Sequence, residues 1–368
     1  MAARSPRRTP LHPQHLAAGA RMVDFAGWEM PQHYSSVREE QHAVRTGAGI
    51  FDVSHMGRFE VRGSGAADFL QSVVTNDVSR LEPNRAQYTL LCQPDGGIVD
   101  DLVVYRSEAA WLVVVNAANR EKDMAWLLGN ATGDVEIVDR SEALSLIALQ
   151  GPLAEQILPA EGVDVPRIPY FGLAEGLLCG ERCLLSRTGY TGEDGFELFV
   201  PAARAGQVWE ALLESGAVPC GLAARDVCRL EAGLRLYGND MDERTNPYEA
   251  GLGWTVKLGK GGFVGRATLQ RIKEEGPRRE LVGLSCADRT IPRHGAAVTI
   301  DGREIGVVTS GTYSFWLQRG IAMASTETAA APVGSQVGVE SRGGNGAAEV
   351  VSLPFYRGSA RRTVPVRS

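Results

Sequence analysis

Residues 96–116 read GGIVDDLVVYRSEAAWLVVVN, and few stretches of a chain constrain its fold as tightly. Gly96-Gly97 marks a turn, and two β-rich runs flank the polar Ser107–Ala109, so the spacing predicts an antiparallel hairpin. Alternation in the first strand puts Ile98, Asp100, Leu102 and Val104 on one face and Val99, Asp101, Val103 and Tyr105 on the other. Both faces are otherwise apolar, so at least one of the two carboxylates sits among hydrophobic neighbours. A desolvated carboxylate is costly unless paired, and its pKa rises. The pair reads either as a cap or buried ion pair, or as an acid/base group lining a cavity with Tyr105.

Two further segments carry the same ambiguity. In Ser186–Val200 (SRTGYTGEDGFELFV) a Gly-rich, acidic turn precedes a strand that sets Glu197 and Phe199 opposite Phe196, Leu198 and Val200. Glu197 is either a solvent-facing Glu or a carboxylate beside a cavity, suited to accept paired N–H donors from a guanidine-like heterocycle. In Gly221–Glu249, the apolar spacing of Ala223, Val227, Leu230 and Leu234 predicts a helix over about 222–235. Arg225 and Arg229 lie one turn apart on it, read either as surface arginines pairing with Asp226 or Glu231 or as functional cations.

The chain of 368 residues suggests two or three domains. Upstream, strands and helices mix without a βα repeat, which fits α+β better than a doubly wound sheet, and the tail from about 281 to 356 reads as all-β. Polar breaks fall at about 130 and 275. A net charge of −6 argues against a general nucleic-acid binder, and no apolar run is long enough to span a bilayer. The six cysteines are too sparse for a disulfide framework and read as structural thiols. Phosphate-loop, dinucleotide, H-E-x-x-H and G-x-S-x-G patterns are missing, and Asp240-Met241-Asp242 lacks the glycine of a calcium loop. No metal site is expected. Ser54-His55 reads as a turn before Gly57. The Arg-rich start, MAARSPRR, reads as a frayed N-terminus of a cytoplasmic protein.

The motifs GARMVDFAGWEMP (19–31) with Tyr34-Ser35-Ser36, GIFDVSHMG (49–57), QYTLL (87–91), GGIVDDLVVY, NAANREKD (116–123), GYTGEDGFE, GLAARD…RLEAGL.LYGNDMDE and VTSG (308–311) run collinearly from about Thr9 to Tyr356. Together they resemble the glycine cleavage system T protein, the aminomethyltransferase family. One departure is SFWL at Ser314–Leu317, where the family reads Ser-Pro, a small polar residue and Leu.

The resemblance implies a three-domain cloverleaf around a central folate hole: 1–52 with 138–242, 53–137 with 243–277, both α+β and interleaved, and a β-barrel-like domain at 278–368. It implies transfer of the methylene carbon of an aminomethyl group, carried on the dihydrolipoyl arm of H protein, to tetrahydrofolate, with release of ammonia and formation of 5,10-methylenetetrahydrofolate. H protein is then the partner, with the P and L proteins reached indirectly, and neither nucleic acid nor membrane is involved. By position, Asp101 is the catalytic carboxylate, which leaves Asp100 structural. Asn116, Glu197 and Arg225 match site positions. Met56, Tyr88, Val103, Tyr105, Tyr170 and Tyr190 form the walls, and Arg357 meets the folate tail. Two neighbours of the family remain as alternatives. The folate domain of dimethylglycine or sarcosine dehydrogenases comes with a flavin domain, for which this chain has neither fingerprint nor length. A non-enzymatic folate-binding assembly factor of the same fold has a cysteine-containing KGC-type motif that is missing here.

Overall fold

The computed structural model describes residues 5–108, 110–287, 290–341 and 344–360. Residues 1–4 of the Arg-rich start, Ala109 in the hairpin turn and the last eight residues of the C-terminal segment lie outside them. The fold is α+β, built on two large sheets, a two-stranded ribbon of Arg21–Phe25 with Trp28–His33, and a barrel. A five-stranded antiparallel sheet runs in the order Arg85–Cys92, Ile98–Arg106, Trp111–Val115, Gly57–Arg62, Glu136–Asp139. A six-stranded sheet runs Leu173–Leu178, Glu181–Ser186, Gly195–Pro201, Leu144–Gln150, Gly49–Asp52, Val218–Pro219, with only the last pairing parallel. From Arg279 to Val351 six antiparallel strands close into a barrel. The closed barrel removes the exposed edges that so many short strands would otherwise present.

The predicted hairpin forms, with Arg106 opposite Trp111. Its leading glycines fix where the strand begins. Gly96 has φ +92°, and a Cβ on Gly97 would stand 1.9 Å from the Glu243 carbonyl oxygen. Only glycine lets the turn press against the 243–245 loop, where the Ile98 N–H donates to the Thr245 carbonyl at 3.0 Å.

The two sheets meet in one apolar cluster. Tyr105 and Val114 from the five-stranded sheet pack with Phe51, Leu146 and Phe199 from the six-stranded one, and with Ala224 and Cys228 of the helix Leu222–Glu231. That helix therefore spans the junction. Its N-terminus is held by Glu40, whose Oε2 accepts from the Gly221 N–H at 2.8 Å. It ends four residues sooner than the apolar spacing predicts. Gly233 takes φ +66°, and the Leu234 N–H turns back to the Arg229 carbonyl at 2.9 Å, a glycine-led C-terminal stop that outweighs the periodicity of Leu234. The barrel docks on the same helix through Leu230, Ile321 and Met323. Each has no exposed surface, and burying such a side chain contributes about 1.5–3 kcal/mol.

The N-terminal expectation needs correcting. Arg7 is not frayed: its N–H donates to the Gly27 carbonyl at 2.8 Å, and its carbonyl accepts from Glu29 at 2.8 Å. The backbone of the turn 27–29 offers groups that composition alone does not reveal.

Candidate active site

The two aspartates part as strand alternation requires. Asp100 is fully buried and Asp101 half-buried. Yet one residue reaches both. Asn116 follows directly on the partner strand, whose Val115 lies opposite Leu102, so it stands beside Asp101. Its side-chain Nδ2 donates to Asp100 Oδ1 at 2.8 Å and to Asp101 Oδ1 at 2.8 Å. Its backbone N–H donates to Asp100 Oδ2 at 3.1 Å. Asp100 also accepts from Asn119 Nδ2 at 2.7 Å.

Asp101 is differently placed. Tyr88, from the adjacent strand, donates its hydroxyl to Asp101 Oδ2 at 2.9 Å. Burial, and then the negative charge of Asp100, push the Asp101 carboxyl well above the ordinary carboxylate range; the Tyr88 and Asn116 bonds only partly offset this. Such a group exchanges a proton under mild conditions, as an acid/base residue must. The Tyr88 ring stacks on Trp254, which is 59% exposed, at 5.9 Å. Burial and the adjacent Asp101 push the Tyr88 phenol up, so Tyr88 stays a donor.

Glu197 marks the other end. It lies on the strand Gly195–Pro201 and is 8% exposed, which settles it as buried rather than solvent-facing. Its Oε2 accepts from Tyr105 at 3.1 Å and from Thr188 at 2.5 Å, and Thr188 is also linked to Ser186 at 2.9 Å. Among the described residues nothing is bonded to Oε1. Asp101, Val103 and Tyr105 share a strand face, so Asp101 and Tyr105 stand about 13 Å apart along it. Tyr105 is itself 1% exposed, so it supports Glu197 from behind instead of forming open wall.

Arg225 completes the arrangement. Its guanidinium lies over the Tyr190 ring at 4.6 Å. Its Nη1 is buried with no hydrogen-bond partner among the described residues. Burial holds its pKa below that of a free arginine, and the facing Glu197 only partly restores it. Arg229 corrects the reading of a surface cation. It is 1% exposed and bonds Asp226 at 2.8 Å, Asp240 at 2.6 Å and Ser310 of the barrel at 2.8 Å. Asp240, with Thr309 on its other oxygen at 2.6 Å, is thus a structural ion-pair partner.

Met56 and Val103 are half-buried against the junction cluster beside Tyr105. Tyr190 donates its hydroxyl to the Arg235 carbonyl. Tyr170 meets Phe171 edge-on at 4.9 Å. Arg357 is exposed, on a segment whose neighbours Tyr356 and Ser359 bond Glu231 and Glu193. The structure thus brings together Tyr88, Asp101 and Asn116, and likewise Tyr105, Tyr190, Glu197 and Arg225. It shows no contact tying Arg357 to either group.

Sequence reasoning missed Thr188, Trp254, Asn119 and Asp123. Asn119 and Asp123 are four apart at the start of the helix Arg120–Asn130, a spacing that places them on one face toward the DD strand. Ser54-His55 is the expected turn, with Ser54 bonded to Leu146 and His55 buried. All six cysteines are free thiols.

Comparison with known proteins identifies relatives of this whole arrangement. The family model of the GCVT N-terminal domain matches residues 11–260, and that of the glycine cleavage T-protein C-terminal barrel domain matches residues 279–357. The aminomethyltransferase of Geobacillus kaustophilus (strain HTA426) is 51% identical over 359 residues, covering 95% of this chain and 99% of that protein. That of Symbiobacterium thermophilum is 50% identical over 370 residues, covering 97% and 99%. The crystal structure of the glycine cleavage system aminomethyltransferase T from Bartonella henselae superposes with a TM-score of 0.91 at 36% identity, covering 97% of this chain and 99% of that one.

Proposed function

The chain belongs to the glycine cleavage T-protein family, the tetrahydrofolate-dependent aminomethyltransferases, and on that premise we propose that Asp101 is the group that moves the protons of the transfer. The methylene carbon exchanges its bonds to amine nitrogen and sulfur for bonds to two folate nitrogens. The two protons those nitrogens lose end on the departing amine and thiol. A single carboxyl that is readily found in either protonation state serves both directions of that traffic. The observation that carries this reading is the desolvated Asp101 held between Tyr88 and Asn116.

The other residues bind and orient. Glu197, with Oε1 unbonded, suits the paired N–H donors of the pterin, and Thr188 and Tyr105 keep it aimed. Arg225 offers its unpartnered Nη1, and Tyr88, Tyr190, Tyr170, Met56 and Val103 supply apolar and aromatic walls. Arg357 is assigned to the glutamate tail. Three units, 1–52 with 138–242, 53–137 with 243–277, and 278–368, are the proposed domains. H protein is the partner that the glycine cleavage system implies. We assign its dihydrolipoyl arm as the carrier of the aminomethyl group, the P and L proteins as indirect partners, and the cytoplasm as the place of action. Among the described residues no helix is long and apolar enough to cross a membrane.

The test uses aminomethylated H protein and tetrahydrofolate. Asp101→Asn keeps the side chain's shape but not its proton, so ammonia release falls by about two to four orders of magnitude while folate affinity survives. Near-normal turnover in that variant removes the role from Asp101.

A further inference from the structure

Asp123, on the helix Arg120–Asn130, has no exposed surface, and neither of its oxygens meets an N–H or O–H donor among the described residues. A carboxylate ion placed there has neither water nor donors, so burial favours the neutral acid. A neutral acid brings an O–H, which needs an acceptor of its own.

Asp100 supplies one. Its carboxylate has room for about four donors, and three places are taken by Asn119 Nδ2, Asn116 Nδ2 and the Asn116 backbone N–H. Asp123 lies one helical turn beyond Asn119, whose Nδ2 holds Asp100, so its carboxyl is the group turned toward the remaining place. Beyond Asp100, the same Asn116 amide turns its second N–H to Asp101. With an Asp123 O–H in that place, a continuous chain runs from Asp123 through Asp100 and Asn116 to the carboxylate at the site.

We propose that Asp123 is kept as a neutral carboxylic acid whose O–H completes the donor set of Asp100, making it a positioning residue that acts on Asp101 through the shared Asn116 amide. This rests on the reading of Asp101 as the proton-moving group. Burial, and then the Asp100 hydrogen bond and charge, hold the Asp123 carboxyl far above its ordinary range, in accord with the geometry.

The surrounding charges do not reverse this. Lys122, beside Asp123 on the helix, pulls the other way but spends its donors on the Val99 carbonyl at 2.7 Å, the Tyr237 hydroxyl at 2.9 Å and Glu243 at 3.1 Å. Asp100 faces Asp123 from the strand, the Asp101 charge acts on it more weakly from the opposite strand face, and Tyr237 faces Asp100. Asp101 in turn is faced by Tyr88 and Tyr190, with Arg235 beyond Tyr88.

Two measurements test the proposal on the full chain. Infrared difference spectra at a pH above the acid limb of turnover, where Asp101 is ionised, should show a protonated carboxyl that disappears in Asp123→Asn and persists in Asp101→Asn. Absence of that band in the wild type, or its persistence in Asp123→Asn, overturns the proposal. The second measurement is the pH profile of turnover. Asp123→Asn retains a neutral donor of the same shape, so kcat and profile stay near wild type. Asp123→Leu removes the donor and leaves the Asp100 charge less neutralised, so kcat falls on the order of ten- to a hundredfold. Its acid limb moves to higher pH, with the tetrahydrofolate KM unchanged. A loss of thermal stability in Asp123→Leu with kcat and the limb unmoved means a purely structural role and also overturns it. Near-normal turnover of Asp101→Asn would instead remove the premise, leaving the infrared result untouched, so the two failures are distinguishable.

Discussion

The Glu197 carboxylate is aimed by two donors on one oxygen, and that redundancy has a measurable signature. Thr188→Val removes the 2.5 Å bond and Tyr105→Phe the 3.1 Å bond, each at nearly constant volume. With one donor left, Oε2 is still held and Oε1 still faces the ligand. Each single variant therefore weakens tetrahydrofolate binding only slightly, with Thr188→Val, at the shorter bond, the larger. With both gone, the carboxylate must be ordered by the ligand itself. Immobilising one such side chain costs about 0.5–1.5 kcal/mol, or roughly two- to thirteenfold in Kd. The double variant should therefore exceed the sum of the singles, a coupling expected of neighbours sharing one acceptor. Calorimetric titration with tetrahydrofolate, using Glu197→Ala as the ceiling, reads all four corners of the cycle. The reasoning fails if the effects add, or if Thr188→Val alone equals Glu197→Ala. Neither residue touches Asp101, so kcat at saturating folate should hold.

Arg225→Lys should weaken folate binding nearly as much as Arg225→Ala, because an ammonium neither stacks on Tyr190 nor presents a planar fork; unchanged affinity by calorimetry would count against it. Asp123 makes stability fall with pH. Its folded pKa lies above the unfolded value of about 4, so the folded state holds a proton the unfolded chain releases. The Asp123 contribution is full below about pH 4 and declines as pH rises toward the folded value, so denaturation midpoints of Asp123→Asn should decline less than wild type over that range. Asp52 works oppositely. Burial raises its pKa, but hydrogen bonds from His15, Thr9 and Ser54 more than compensate and hold it at about 2, so its contribution is lost as pH falls from about 4 to 2. Thr9→Val should bring acid unfolding to a higher pH. Arg45→Met leaves Glu193 and Glu231 buried without their cation and should cost about 3–5 kcal/mol by urea unfolding.

What was legible in the sequence follows from which interactions are local. The hairpin showed itself because β-branched runs and a glycine pair act over a few residues. The separation of Asp100 from Asp101 followed from the pleat alone. The choice of Asp101 over Asp100 came from the family resemblance. Glu197 stayed ambiguous because its fate depends on Thr188 nearby and Tyr105, which is 92 positions away. Arg229 looked like a surface residue because Ser310, which buries it, arrives from the barrel. Asp123 gave only its spacing from Asn119, which says nothing of burial. It reads as an ordinary charge in the first turn of a helix, and only the approach of the DD strand makes it a buried acid.

Glu231 gathers Arg45 and Gln41 from one helix and Ser314 from the barrel, and its carbonyl accepts from Tyr356 at 2.8 Å. It closes the same helix that carries Arg225, about 9 Å away along the axis. The helix is thus clamped at one end by parts of the chain more than eighty residues distant. One consequence concerns recombination. A chimera that exchanges the barrel with that of a relative inherits a new Ser314 loop and a new C-terminal strap, and both bear on a helix it did not exchange. Such hybrids should tolerate changes on the barrel's outer strands freely. They should lose ligand affinity when the swap disturbs the partners of Glu231, although no residue of the swapped piece need touch the ligand.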